Sequence, residues 1–120
     1  MLIITAITKD ILMKKTKLGE FEELVLLTVV VLQDMAYGVE IKRELEARLN
    51  ESLSVGSIQS ALKRMEEKGF VESLYGGITN ERGGRRKKYY VITALGKRVL
   101  DQQYDLRTRI YQKIPKISLG

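Results

Sequence analysis

The side chains best suited to recognising another molecule fall in two short stretches of this sequence. The first lies on a predicted helix, where small and hydrogen-bonding residues come one turn before basic ones: Gly56, Ser57, Gln59, Ser60, Lys63 and Arg64. Small residues allow close approach, Gln and Ser can reach the edges of bases, and Lys and Arg can pair with guanine or with phosphate. An ordinary solvated helix face has much the same composition, so this stretch alone leaves both interpretations open.

The second stretch is a glycine-rich basic loop, in which two glycines are surrounded by five cationic residues: Arg82, Arg85, Arg86, Lys87 and Lys88. From Glu81 to Arg98 there are seven basic residues and one acid, and this local excess of +6 equals the formal net charge of the whole chain. Concentrated positive charge favours a polyanionic partner, either nucleic acid or an anionic membrane surface. A recognition-type helix followed directly by a basic hairpin favours double-stranded DNA.

The sequence contains no histidine and no cysteine. It therefore lacks the commonest general base, the commonest metal ligand and any thiolate site, and we expect neither a metal nor another cofactor. The acids that could act in catalysis are predicted on solvated helical turns, without a cleft-forming motif: Glu20, Glu22, Glu23, Glu66 and Glu67. We therefore expect the chain not to be an enzyme.

No apolar run is long enough for a membrane span, which needs roughly 18 residues. The longest run, from Leu24 to Leu32, is interrupted at Thr28 and has the length of a buried helix. At the N-terminus the charged residues follow the apolar ones, whereas a secretory signal has its charges first. These features predict a cytoplasmic protein without membrane contact.

The first half of the chain is predicted to be helical. An amphipathic helix or arm over residues 1–17 precedes a helix over 18–33, whose expected buried face is Leu18, Phe21, Leu24, Val25, Thr28 and Leu32. After a break at 34–38, a second helix over 39–50 carries Ile41, Leu45 and Leu49 on its apolar face.

A third helix begins after Ser54, which is a good N-cap, and ends at Gly69, a residue suited to left-handed geometry. Its expected apolar stripe is Val55, Ile58, Leu62 and Met65. Residues 70–75 and 87–92 are predicted strands of a hairpin, and Thr93 caps a last helix that runs to about Ile114. This order predicts a mainly α fold with a small β-hairpin (α+β). We expect a winged helix-turn-helix domain over residues 18–95, with an added C-terminal dimerisation helix over 96–120.

Several segments resemble the PadR-like transcriptional regulators in order and spacing. They are Leu18–Glu22, Ala36–Ile41, Ser54–Ile58, Leu62–Val71, Arg82–Tyr90 and Thr93–Gly96. The resemblance implies a dimeric, usually repressing DNA-binding protein, in which the third helix reads the major groove and the wing touches the flanking backbone. Gln59 stands where the family commonly has tyrosine, so a DNA contact there must differ. The chain also stops soon after its fourth helix, whereas many relatives have a longer C-terminal dimerisation domain.

The C-terminal helix, alone or with the N-terminal one packed against it, is the expected dimer interface. Its seam of Leu100, Tyr104, Tyr111 and Ile114 is heptad-like and broken only by Arg107. Such a stripe can also pack on its own domain. A two-fold dimer would present two third helices to successive major grooves about 34 Å apart, so the operator should be an inverted repeat.

PadR-like proteins often respond to aromatic or drug-like ligands at the dimer interface, and Tyr104 and Tyr111 could line such an effector site. Plain interface packing is the alternative for both tyrosines. The leading hypothesis is thus a homodimeric repressor that binds specific DNA sequences. A protein–protein interaction module without specific DNA binding is the second, although lysine-rich surfaces are unusual in interface cores.

Overall fold

The computed structural model describes residues 17–76 and 87–116, which form four α-helices, one 3₁₀ turn and a two-stranded sheet. In chain order the elements are α1 (Glu20–Leu32), the 3₁₀ turn (Gln33–Met35), α2 (Gly38–Leu49), α3 (Val55–Glu67), β1 (Val71–Tyr75), β2 (Lys88–Ile92) and α4 (Ala94–Gln112). The architecture is a winged helix-turn-helix with an added C-terminal helix, as predicted. The helix or arm expected over residues 1–17 lies outside the described residues except for Lys17.

The core forms where α1, α2 and α3 pack together beneath the base of the hairpin. Its fully buried side chains include Val25 and Leu26 of α1, Ile41 of α2 and Leu62 of α3, with Phe70 just beyond α3. These positions follow the helical period, because residues three and four apart share one face. The sequence pattern did not identify Leu26 and Val29, which lie in an almost wholly apolar run and are both buried.

The expected stripe of α3 was wrong at its first position. Val55 is 58% exposed, whereas Ile58, Leu62 and Met65 are buried, and Ala61 completes the inward face. The first turn of α3 extends past the elements that cover its later turns. Correct helical spacing alone therefore does not bury Val55.

The hairpin is antiparallel, with Val71 opposite Ile92 and Tyr75 opposite Lys88. Beyond Tyr75, the amide of Gly76 donates to the carbonyl of Lys87 over 2.7 Å and closes the base of the loop. We call the paired strands and this closing bond the hairpin base. Residues 77–86 of the loop lie outside the described residues.

The hairpin base is attached to the first half of the domain through the connection between α1 and α2. The amide of Tyr90 donates to the carbonyl of Ala36 over 3.0 Å, and Tyr37 and Tyr89 form an isolated antiparallel bridge. The rings of Tyr37 and Tyr89 lie 5.8 Å apart in a tilted arrangement. These contacts fix the position of the hairpin base relative to α2, and the sequence pattern gave no indication of them.

The beginning of α4 belongs to the domain core. Val99 and Leu100 are buried there, 5% and 7% exposed. The prediction that Leu100 lies in a dimer seam therefore does not fit the structure, because this side chain packs within its own chain. Further along α4, Gln103 accepts a hydrogen bond from the amide of Leu18 over 2.9 Å, and Arg107 forms a 2.9 Å ion pair with Glu23.

One acid expected to be solvated is buried instead. Glu22 is 8% exposed, and its carboxylate accepts hydrogen bonds from the Lys68 ammonium at 3.1 Å and from the Gly19 amide at 3.3 Å. The same Lys68 ammonium also donates to the carbonyl of Lys17. A buried carboxylate requires such partners. Glu22 thus joins the beginning of α1 to the end of α3 and has a structural role.

Candidate nucleic-acid interface

The turn that precedes α3 is fixed by α2. Asn50 ends α2 with a left-handed φ of 55°, a conformation that asparagine adopts more readily than most residues. Three residues later, the amide of Leu53 donates to the Glu46 carboxylate over 2.8 Å. This backbone hydrogen bond, together with the Lys42 ammonium, lowers the pKa of Glu46 below its ordinary value. The carboxylate therefore holds the connection from which α3 begins.

α3 begins with the predicted N-cap. The Ser54 hydroxyl accepts a hydrogen bond from the amide of Ser57 over 3.0 Å. In return, the Ser57 hydroxyl donates to the carbonyl of Ser54 over 2.8 Å, and Ser57 is half-buried. Because this hydroxyl already has an intrahelical partner, Ser57 is the least available of the predicted base-reading residues.

The remaining predicted residues of α3 share an exposed face. Gln59, Ser60, Lys63 and Arg64 are all exposed, and no ion pair among the described residues involves Lys63 or Arg64. The nearby acid Glu66 is engaged elsewhere, since it accepts from the Ser73 hydroxyl over 2.5 Å. We call these four residues the α3 polar face.

Two glycines make room around this face. A Cβ at Gly56 would meet nothing within 4 Å, so the backbone of the first turn borders open space. A Cβ at Gly38 would lie 2.8 Å from Nε2 of Gln59. The end of the Gln59 side chain thus lies over the beginning of α2, where Gly38 leaves it room.

The structure describes only part of the predicted wing. Arg82, Arg85 and Arg86 lie outside the described residues. Lys87 is exposed, and Lys88 lies 4.0 Å from a carboxylate oxygen of Glu66 and 5.6 Å from the centre of the Tyr90 ring. The Glu66 carboxylate of α3 therefore partly neutralises the charge of Lys88, so Lys88 is less available to bind a phosphate than Lys87.

The second half of α4 presents an apolar surface to solvent. The large exposed side chains are Tyr104, Leu106, Ile110 and Tyr111, with Ile114 just beyond the end of the helix, and we call these five the α4 apolar surface. The predicted seam included three of them and left out Leu106 and Ile110. The i, i+4 spacing of these two was the available signal, but it places them on a different side of the helix from Tyr104 and Tyr111.

Within residues 17–76 and 87–116, no cluster of three or more acidic side chains could hold a metal ion, and no helix is long and apolar enough to cross a bilayer. A shallow depression lies at the end of α2, lined by Glu46, Ala47, Asn50, Glu51 and Ser52. It does not include Tyr104 or Tyr111, so it provides no support for the expected effector site.

A helix-turn-helix with an exposed polar and basic third helix, followed directly by a hairpin, defines a winged-helix protein of the DNA-binding class. Comparison with known families narrows this further. The model of the transcriptional regulator PadR-like family matches residues 26–102, and the chain belongs to that family. Its members are transcription regulators rather than enzymes, which confirms the expectation that the chain has no catalytic activity.

Solved structures support the same assignment. A PadR family transcription regulator from Clostridium difficile R20291 is 33% identical, with a TM-score of 0.56 over 74% of this chain and 91% of that one. RosR from H. salinarum is 26% identical, with a TM-score of 0.57 over 84% and 82% of the two chains. A transcriptional regulator from Clostridium thermocellum, 24% identical with a TM-score of 0.58 over 79% and 92%, shares the fold.

A curated relative, an uncharacterized protein from Lysinibacillus sphaericus, is 36% identical over 75 residues. The matched segment covers 61% of this chain and 66% of that protein, just under two thirds of its length.

Proposed function

We propose that this PadR-like regulator is a homodimeric repressor that binds an inverted-repeat operator in a sequence-specific manner. The observation that carries the proposal is the α3 polar face. It combines amide and hydroxyl groups with two cationic side chains that have no ion-pair partner among the described residues. Folding leaves these groups exposed, and a major-groove edge offers the donors and acceptors that match them.

Within this proposal Gln59 and Ser60 contact base edges, and Lys63 and Arg64 contact guanine or phosphate. Ser57 acts mainly by holding the first turn, through its bonds with Ser54. The wing supplies the sequence-independent part of the affinity through its cationic residues, Arg82, Arg85, Arg86, Lys87 and Lys88.

The α4 apolar surface is the proposed dimer interface. Ile110 and Tyr111 are 61% and 74% exposed on a part of α4 that lies beyond its contacts with α1. An isologous pairing of two such helices would bury these side chains and create a two-fold axis. The axis places two copies of α3 on one face of the duplex, about 34 Å apart, which requires an inverted repeat.

The first experiment measures fluorescence anisotropy of labelled DNA from upstream of the protein's own gene, with scrambled DNA as control, at several salt concentrations. We expect tight binding that prefers the native sequence and weakens steeply as salt rises, because phosphate neutralisation releases counterions. A fall in transcription from that DNA on adding the protein would support repression. Absence of binding to both DNAs at low salt would contradict the proposal.

Variants of the wing and of α3 separate the two kinds of contact. Replacing Arg85 and Arg86 with alanine should weaken binding to all sequences alike and flatten the salt dependence. Gln59→Ala should instead change the preference between sequences. The matched control removes Arg43 and Arg48, whose charges are already paired with glutamates of α2. If the control flattens the salt dependence as strongly as the wing variant, the wing assignment is wrong.

The dimer is tested by sedimentation of the wild type and of Ile110→Asp. We expect a dimer and a monomer respectively, because an aspartate in the interface would be desolvated without a partner. Leu74→Asp, at an exposed position of β1, is the control and should remain dimeric. A dimer that survives Ile110→Asp would overturn this choice of interface.

The second candidate function is a protein–protein interaction module. The observation that favours it is the exposed α4 apolar surface, which could also bind a different protein. A monomeric protein that is indifferent to DNA would support this second function.

In the dimer, Tyr104 and Tyr111 would remain candidates for contact with a small aromatic effector. A ligand-dependent change in their fluorescence together with loss of DNA affinity would support an effector site.

A further inference from the structure

The first turn of α3 carries a valine that the fold does not use. Val55 is 58% exposed, while Ile58 and Leu62, one and two turns further, are 1% and 0% exposed. Valine is also a poorer helix former than alanine, because its branched side chain loses rotamer freedom. Neither packing nor helix propensity accounts for this residue at the beginning of α3.

The polar groups of the same turn are already committed within the protein. The Ser54 hydroxyl caps the helix, and the Ser57 hydroxyl donates to the carbonyl of Ser54. Gly56 adds no side chain, and the space beside it is open. The first turn therefore offers an approaching ligand the methyl groups of Val55 beside bare backbone, and valine is its one uncommitted side chain.

We infer that Val55 recognises the C5-methyl group of a thymine in each operator half-site. This rests on the proposed function, in which the N-terminal residues of α3 come closest to the base edges. Among the groups that base pairs display in the major groove, the thymine methyl is the apolar one. A valine with no hydrogen-bonding capacity therefore selects thymine at its position. Gln59 and Ser60, one turn later, contact the donors and acceptors of neighbouring pairs.

Gly56 strengthens this assignment because it lets the helix backbone approach the groove. A side chain at position 56 would stand beside Val55 on the same turn and hold the helix away from the methyl group. Burial of one methyl group corresponds to about a fourfold change in affinity. The valine contributes little to overall affinity and acts mainly in discrimination.

The test uses the full-length protein and an operator duplex found by its preference over scrambled DNA. Each thymine is replaced in turn by uracil, which removes the C5-methyl and leaves base pairing unchanged. Anisotropy is measured for the wild type, for Val55→Ala and for Val31→Ala, a control in which an exposed valine of α1 is truncated. We expect one uracil position per half-site to weaken wild-type and Val31→Ala binding about fourfold, and Val55→Ala binding by less than about 1.5-fold.

The outcomes distinguish this inference from the proposed function. If the wild type prefers its operator but no uracil position weakens binding, or if Val55→Ala shows the same penalty, the inference fails and the proposed function stands. If no duplex is found that the wild type prefers over scrambled DNA, both fail. Val55→Ala should unfold at the wild-type temperature or slightly above it, because the side chain is exposed and alanine is the better helix former.

Discussion

The beginnings of α3 and α4 are built alike and serve opposite purposes. Ser54 and Thr93 each cap their helix by accepting a hydrogen bond from the amide three residues later, and each helix has a glycine in its first turn. A Cβ at Gly56 would border open space, whereas a Cβ at Gly96 would overlap the carbonyl oxygen of Phe70. The glycine of α4 serves the fold, and the glycine of α3 leaves room for something outside it.

This difference shows that a residue's surroundings, more than its type, decide what it does. Phe70 is fully buried, and its carbonyl accepts from the amide of Thr93 over 2.9 Å. α4 must therefore begin in close contact with the strand side of the domain. α3 begins in solvent, and its first turn is free for another molecule. Substitutions at the two helix beginnings should accordingly affect different properties.

The largest effect is expected for Gly96→Ala. The added methyl would force α4 away from Phe70, and overpacking of this kind costs about 3 kcal/mol in the free energy of unfolding. Urea denaturation followed by circular dichroism measures the loss. A variant as stable as the wild type would show that α4 can move without cost, and the contrast between the two glycines would disappear.

Gly56→Ala should raise stability while it weakens DNA binding, and so separate the two properties. Alanine is the better helix former, so the free energy of unfolding should rise by up to about 1 kcal/mol. DNA affinity should fall about tenfold, equivalent to about 1.4 kcal/mol, because the methyl group would keep the backbone from the groove. Anisotropy and urea denaturation on the same preparation provide both values. Unchanged affinity would mean that the first turn of α3 does not approach the DNA.

The caps sharpen the comparison through stability alone. Besides accepting from Gly96, the Thr93 hydroxyl donates to the carbonyl of Gly69 over 2.6 Å, whereas Ser54 accepts a single bond from Ser57. Thr93→Ala should therefore cost about 2 kcal/mol of stability, and Ser54→Ala about 1 kcal/mol. Thermal unfolding of both variants tests whether Thr93→Ala loses more stability than Ser54→Ala. Equal losses would indicate that the bond to Gly69 contributes nothing.

The smallest expected effect concerns pH and the connection before α3. The pKa of Glu46 is lowered in the folded protein, so its ionised form stabilises the fold above the pKa of the unfolded chain. That contribution is lost as the pH falls through the folded-state pKa. The difference in Tm between the wild type and Glu46→Gln should thus be present at neutral pH and disappear as the pH falls through the folded-state pKa of Glu46. A difference that grows on acidification would contradict the role assigned to Glu46.

Sequence patterns predicted the elements of the fold because those depend on local chemistry. Hydrophobic spacing located the helices, Ser54 and Thr93 marked two helix beginnings, and Gly69, with a φ of 81°, marked the end of α3. The order of the elements then determined the fold class. Ends differed by a residue or two, as at α4, which stops at Gln112 rather than at Ile114.

What the sequence could not predict depends on neighbours distant in the chain. Val55 has correct helical spacing but no element packs over it, and Leu100 lies on the predicted seam but faces the core. Glu22 occupies a helix first turn, where acids are usually solvated, and its burial depends on Lys68, 46 residues away. The predicted wing arginines and the dimer remain predictions, because the first lie outside the described residues and the second requires another chain.

The hairpin base has a consequence for how such proteins diversify. The amide of Gly76 and the carbonyl of Lys87 meet at 2.7 Å, so the residues on either side of the segment 77–86 are held together at one point of the domain. Doubling the length of a flexible loop costs only about 0.6 kcal/mol of closure entropy. The wing can therefore change its length and charge over evolutionary time while the core stays as it is. Duplicated genes could acquire new operators by altering the loop and the exposed side of α3, without first passing through an unstable protein.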